Sequence, residues 1–127
     1  MKRQKLIFSF FILLALTFNF GFVVGEFDNP DHHNIYELHA ALIVSLIATA
    51  MKLSDRTYAG SVFLATSLVA DLQLILAAAL WWYALSGSAV GLDSSMMASV
   101  VSLASGALLA NLASVVLLVL DTAKLRD

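Results

Sequence analysis

Apolar residues occupy this chain in four long blocks separated by short polar breaks. The blocks run from about Leu6 to Val24, Ile35 to Leu53, Thr57 to Leu85 and Ser94 to Leu120. None alternates with the two-residue period of a half-buried strand, and each is long enough to cross a hydrocarbon core of about 30 Å as a helix. The last two exceed the roughly 20 residues needed and are expected to tilt or project beyond the membrane. The breaks carry turn and capping chemistry. Gly25 ends the first block, and Asp28-Asn29-Pro30-Asp31 is a turn sequence. Asn34 with Glu37 three residues on resembles a capping box. Asp55 can cap the third helix, Ser86-Gly87-Ser88 and Gly91 form the next loop, and Asp93 or Ser94 can cap the fourth. The expected fold is all-α: a single antiparallel four-helix membrane bundle with up-down-up-down threading.

Charge placement orients that bundle. Lys2, Arg3 and Lys5 precede the first block, Lys52 and Arg56 lie between the second and third, and Lys124 and Arg126 follow the fourth. The other two connections contain no Lys or Arg, while Glu26, Asp28, Asp31 and Asp93 sit there. All seven basic residues therefore fall on one side, which the positive-inside rule makes cytoplasmic, with both termini inside. This bias argues against dual-topology proteins such as small multidrug exporters and fluoride channels, which share the length and helix number. The exporters also carry an acid in their first helix, and none is present here. A cleaved signal peptide competes for the first block, since Met1 to Lys5 makes a basic n-region. Signal h-regions run about 7–15 residues and end at a small-x-small site. This block is longer and Val23-Val24-Gly25 is a poor site, so a retained helix is expected.

Composition agrees. Of 127 residues, 61% are hydrophobic and 13% charged, and mean hydropathy is +0.90. A soluble domain this small needs far more polar cover, so a soluble globular domain, a disordered chain and a nucleic-acid binder are excluded. The absence of Cys excludes disulfides, thiolate metal sites and Cys nucleophiles.

The main candidate site is the set of polar residues inside the blocks: Asp71 and Gln73 in the third, Asn111 in the fourth and Asn19 in the first. An Asp at mid-bilayer costs about 2.5–3.5 kcal/mol on insertion scales, which implies a partner or a water-filled path. Three readings stay open for Asp71: hydrogen-bond glue between helices, docking against a polar residue of another subunit, and a proton or cation site. Asn19 should lie toward the outer side and Asn111 toward the cytoplasmic side, each about 6 Å from the midplane. A short loop makes the third and fourth helices neighbours, so Asp71 to Asn111 is the internal hydrogen bond expected first.

Ser102, Gly106, Ala110 and Ser114 form a small-residue stripe that lets another helix approach closely. Trp81, Trp82 and Tyr83 end the third block where an aromatic interface belt belongs. Six phenylalanines (Phe8, Phe10, Phe11, Phe18, Phe20 and Phe22) spread around the first block, which suggests a peripheral helix facing lipid or a large partner. His32, His33, Glu37 and His39 are possible Zn or Cu ligands, although no fixed ligand pattern joins them and a solvated turn plus a cap explains most of them. No cofactor is expected. There is no Gly-rich phosphate loop, GxSxG elbow or acid pair placed for general acid–base work, so no enzymatic activity is expected either.

The segment Ser67-Leu68-Val69-Ala70-Asp71-Leu72-Gln73-Leu74, set in a four-helix chain with this charge pattern, resembles a family of small bacterial inner-membrane proteins of unknown function. The resemblance covers most of the chain by layout and this octapeptide by motif. It implies a bacterial inner-membrane location and no particular activity. The expected role is an accessory or assembly subunit of a larger membrane complex, in contact with the lipid bilayer and with another membrane protein or a second copy of itself. The alternative is a homo-oligomeric unit for proton or cation transport, with Asp71 and Gln73 on the path. A metal or haem protein is the third reading.

Overall fold

The computed structural model describes residues 2–25, 29, 31, 33–55, 57–87 and 91–126, with backbone alone at residues 2 and 124–126. Four helices follow the four apolar blocks: α1 Lys2–Val23, α2 Ile35–Lys52, α3 Tyr58–Ser86 and α4 Ser94–Arg126. All four are long and apolar enough to cross a membrane. Helix α1 starts before Leu6 and α4 runs beyond Leu120, because a helix satisfies its own backbone wherever nothing breaks it. The two polar extensions meet: Lys5 Nζ lies 3.6 Å from Asp121 Oδ2.

Local chemistry sets the helix ends. Asn34 caps α2 by accepting from the Tyr36 N–H at 2.8 Å. Glu37, expected to complete a capping box, instead lays its carboxylate against Gly21 of α1, in the space a Cβ there would need. Thr57 rather than Asp55 is the N-cap of α3, its hydroxyl accepting from the Gly60 N–H at 3.0 Å. At the start of α4, Asp93 Oδ1 accepts from the Met96 N–H at 2.9 Å. Gly25 follows α1 at φ 110°, a left-handed conformation that glycine adopts without strain. In the turn before α2, Asn29 Oδ1 accepts from the Asp31 N–H at 3.0 Å, while Asp28 and Pro30 lie outside the described residues, as do Ser88 of the later loop and Arg56.

Asp55 supports the α3 cap from one step back. Its Oδ1 accepts from the Thr57 N–H at 3.0 Å and the Thr57 hydroxyl at 2.7 Å, and Lys52 Nζ reaches Oδ2 at 3.3 Å. The Thr57 backbone and side-chain hydrogen bonds, with a smaller contribution from Lys52, hold the Asp55 carboxyl below its ordinary value. A depressed carboxyl stabilises the fold above its unfolded pKa, about 3.9, and that contribution is lost as pH falls through the folded value. Detergent-solubilised protein should therefore lose stability on acidification below about pH 4, and Asp55→Asn should shrink that acid-dependent loss in thermal melts across pH.

The helices form a four-sided ring in which α1 touches α2 and α4, and α3 touches α2 and α4. Neighbours are antiparallel. Lys5 meets Asp121 while Asn19 meets the Ala104–Asn111 stretch, and Thr66 meets Ser114 while Gln73 meets Gly106. Two apolar clusters fill the ring. One, built around Phe22, Leu38, Leu74, Trp81, Met97 and Val101, occupies the end away from the basic residues. The other, around Phe8, Ile12, Phe63 and Leu118, occupies the basic end.

Only about a third of the most apolar stretch of each helix is buried. The remaining surface carries Leu68, Leu72, Ile75, Leu109, Leu112 and Val119 outward, an apolar exterior suited to hydrocarbon rather than water. Helix α1 is a full side of the ring rather than a peripheral helix: Phe8, Ile12, Ala15, Asn19 and Phe22 are all buried. Its phenylalanines divide, with Phe10 and Phe20 outside and Phe8 and Phe22 inside.

Candidate functional site

Asp71 lies one residue from the middle of α3 and is 5% exposed. It points at α2, not at α4. Ser45 Oγ donates to its Oδ1 at 2.6 Å, and Thr49 Oγ1 lies 2.5 Å from its Oδ2. Ser45 and Thr49 are one turn apart and so share the face of α2 that meets α3. The expected Asp71–Asn111 bond is not formed, because α3 turns Asp71 toward α2 and α4 turns Asn111 toward α1.

Asn111 instead pairs with Asn19. With its amide oriented to satisfy both ends, Asn19 donates to the Ala104 carbonyl at 2.9 Å and accepts from the Leu108 N–H at 3.0 Å and from Asn111 Nδ2 at 3.1 Å. Asn19 is fully buried. The two residues keep the expected order along the axis, Asn19 nearer the end without basic residues, but they lie only about one turn apart, close enough for their side chains to meet. The Lys5–Asp121 contact sets the register, and counting 14 residues from each (19 − 5 and 121 − 107) puts Asn19 opposite position 107.

The other seams carry their own polar contacts. Between α3 and α4, Thr66 Oγ1 and Ser114 Oγ are 2.6 Å apart, and the Gln73 amide lies over Gly106 where a Cβ would collide with it. Gln73 thus faces α4 rather than sharing the Asp71 site, and its Oε1 is buried without a hydrogen-bond partner. Between α1 and α2, the buried His33 ring nitrogen Nδ1 is 2.5 Å from the Phe22 carbonyl, and Glu37 covers Gly21. Three sides of the ring thus carry side-chain hydrogen bonds between helices, and at the fourth the connection before α2 is tied to the end of α1 through His33.

Gly106, Ala110 and Ser114 of the small-residue stripe lie on or beside the packed face of α4, but Ser102 is exposed. A strict four-residue step overshoots a 3.6-residue helix turn by about 40°, so the upper end of the stripe rotates off the contact. The packed face continues through Ala107, Ala104 and Val100 instead. Of the three expected interface anchors, Trp82 and Tyr83 are exposed, but Trp81 is 6% exposed and packs against the Phe22 ring in the core. Trp82 also donates from Nε1 to His39 Nε2 at 3.1 Å.

The proposed metal ligands do not converge. His33 turns to the Phe22 carbonyl, His39 to Trp82 and Glu37 to Gly21, and His32 lies outside the described residues. No group of three potential ligands is found among the described residues.

Proton placement at Asp71 follows from counting hydrogens. Thr49 Oγ1 is within reach of both Asp71 Oδ2 and the Ser45 carbonyl, the latter at 2.9 Å, but carries one hydrogen. If Asp71 is protonated, its Oδ2–H donates to Thr49 and Thr49 donates to the Ser45 carbonyl. If Asp71 is ionised, Thr49 turns its hydrogen to Oδ2, and both carboxylate oxygens accept from hydroxyls at charge-assisted lengths. Both protonation states are satisfied by rotating one hydroxyl. Neither described ion pair involves Asp71. Sequence reading missed Ser45 and Thr49; their spacing of four in α2 was the available signal.

Fold and site together define an all-helical protein whose four helices are each long and apolar enough to cross a membrane, with buried polar contacts between α1 and α4, α2 and α3, and α3 and α4. The chain belongs to a family of unknown function, DUF6394, whose family model matches residues 32–122. The match takes in α2, α3 and nearly all of α4, including Asp71, Ser45, Thr49 and Asn111. No curated protein and no solved structure matches the chain.

Proposed function

We propose that this chain is a small, non-enzymatic integral protein of a bacterial inner membrane that serves as an accessory or assembly subunit of a larger membrane complex. The supporting observation is where the buried polar groups are spent: Asp71, Asn19, Asn111 and Ser114 all bond to neighbouring helices of the same chain. Beyond Asp71, toward the end without basic residues, Leu38, Ala41, Leu74, Ala77, Met97 and Val101 close the ring with apolar packing. Much of the surface left for contact with other membrane proteins is the apolar exterior. The asymmetry of basic residues supports placing both termini in the cytoplasm. Native mass spectrometry of the tagged protein, extracted gently from its own membranes, tests this. A different membrane protein recovered in fixed ratio is the expected result; a clean homo-oligomer alone would overturn the accessory role.

One observation favours a second reading, a proton-handling unit: the Asp71–Thr49–Ser45 network accommodates either protonation state at the cost of one hydroxyl rotation. Under that reading, proteoliposomes containing the wild type pass protons and Asp71→Asn abolishes the flux while the fold persists. Wild-type liposomes that leak no protons or cations would eliminate it.

A further inference from the structure

At the basic end the four helix termini enclose a half-open cavity of about 790 Å³, lined by Lys5, Phe8, Lys52, Asp55, Phe63 and Asp121 among others. That volume is in the range of small-molecule sites, roughly 300–1,000 Å³. Its floor is apolar: Phe8 and Phe63 meet edge to face with centroids 5.2 Å apart, and Leu118 packs with them. Among the described residues its wall holds two ammonium groups, Lys5 and Lys52, and two carboxylates, Asp55 and Asp121.

Those charges are only partly spent on one another. Lys5 is 3.6 Å from Asp121, beyond hydrogen-bond length, and Lys52 is 3.3 Å from Asp55. A charge-assisted N–H···O bond is about 2.7–2.9 Å long, so both ammonium groups keep strong donors in reserve. Lys52 Nζ is also held 4.2 Å from the centre of the Phe8 ring, which fixes its position. Asp55 is committed to Thr57 and Lys52, whereas among the described residues Asp121 has the loose Lys5 contact.

The balance of charge decides the ligand class. A simple anion would suit Lys5 and Lys52 but face Asp55 and Asp121; a simple cation would meet the reverse conflict. A molecule carrying a phosphate and a primary ammonium a few bonds apart satisfies both. The cavity lies where the apolar spans begin and end, at Arg3, Lys52 and Tyr58, which is headgroup level if the helices cross a membrane. We infer that this cavity binds the zwitterionic phosphoethanolamine headgroup of a phospholipid, with Lys5 and Lys52 on the phosphate and Asp121 on the ammonium. The glycerol and first methylenes then rest on Phe8, Phe63 and Leu118. The site is independent of any role for Asp71.

Native mass spectrometry from nanodiscs of mixed phosphatidylethanolamine and phosphatidylglycerol tests it. Phosphatidylethanolamine should be retained over phosphatidylglycerol by about tenfold or more, the scale of one added charge-assisted contact. Asp121→Asn should erase that preference. Lys5→Met and Lys52→Met should lower retention of both lipids; Lys52→Met keeps an apolar stem over Phe8 so that the bundle stays folded. Displacement by soluble glycerophosphoethanolamine at equal concentration would support the same headgroup chemistry with the ligand drawn from solution. Equal retention of the two lipids by the wild type, or a preference unchanged in Asp121→Asn, would overturn the inference.

Discussion

Asn19→Leu should loosen α1 from the bundle and lower stability by about 2–4 kcal/mol, the largest single-residue effect expected here. The wild-type amide makes three hydrogen bonds to α4, two of them to its backbone at Ala104 and Leu108. Interhelical hydrogen bonds in membranes average about 0.6 kcal/mol and reach about 1.7. Three together with a misfit side chain at a fully buried site give the range above. The change also strands Asn111 Nδ2, which is buried with no other described acceptor. Asn111→Leu alone should therefore cost less, and the double variant less than the sum. Reversible unfolding in mixed micelles, run as a double-mutant cycle, measures this coupling. Additive single effects would show that the two amides do not act together.

Asp71→Ala and Asp71→Asn should separate sharply. Asn reproduces the hydrogen-bond pattern of the protonated acid: its oxygen accepts from Ser45, its amide donates to Thr49, and Thr49 donates to the Ser45 carbonyl. Its cost should stay within about 1 kcal/mol, the scale of one ordinary hydrogen bond. Ala removes both links to α2 and leaves a hole at a site 5% exposed, for a loss of about 2–3 kcal/mol. The same unfolding assay reads both. If Asn is as damaging as Ala, the site depends on a full carboxylate charge and the hydrogen count for the protonated acid does not describe it. The two variants bear on function as well, since Asp71→Asn is the form in which ion flux can be tested without disturbing the fold.

Helix number, helix identity and most caps could be read directly from the chain. Four apolar blocks without a two-residue period leave helix as the only way to satisfy a backbone out of water, and Asn34 and Asp93 mark starts by short-range chemistry that needs no tertiary context. The choice of Asp71 as the central polar residue also came from the sequence, because a lone acid in an apolar block is conspicuous on energetic grounds alone. Its partners did not. Loop length made α4 a neighbour of α3, but a helix in a ring has two neighbours, and loop length says nothing about which one a given side chain faces. That depends on the rotation of α3 about its own axis, set by the fit of Phe63, Ala70, Leu74 and Trp81 into the core.

The same division runs through the remaining residues. The sequence alone determined that this is a four-helix chain with an apolar exterior and all its basic residues at one end, since hydropathy and charge are additive properties of local composition. The tertiary structure alone decided that Asn19 and Asn111 come within hydrogen-bond reach of each other, that Trp81 is core while Trp82 is surface, that Ser102 leaves the packed face, and that Lys5, Lys52, Asp55 and Asp121 line a cavity. Each of these turns on axial shift and rotation between helices. Packing fixes those shifts to within a fraction of a turn, whereas a repeating apolar pattern leaves them free.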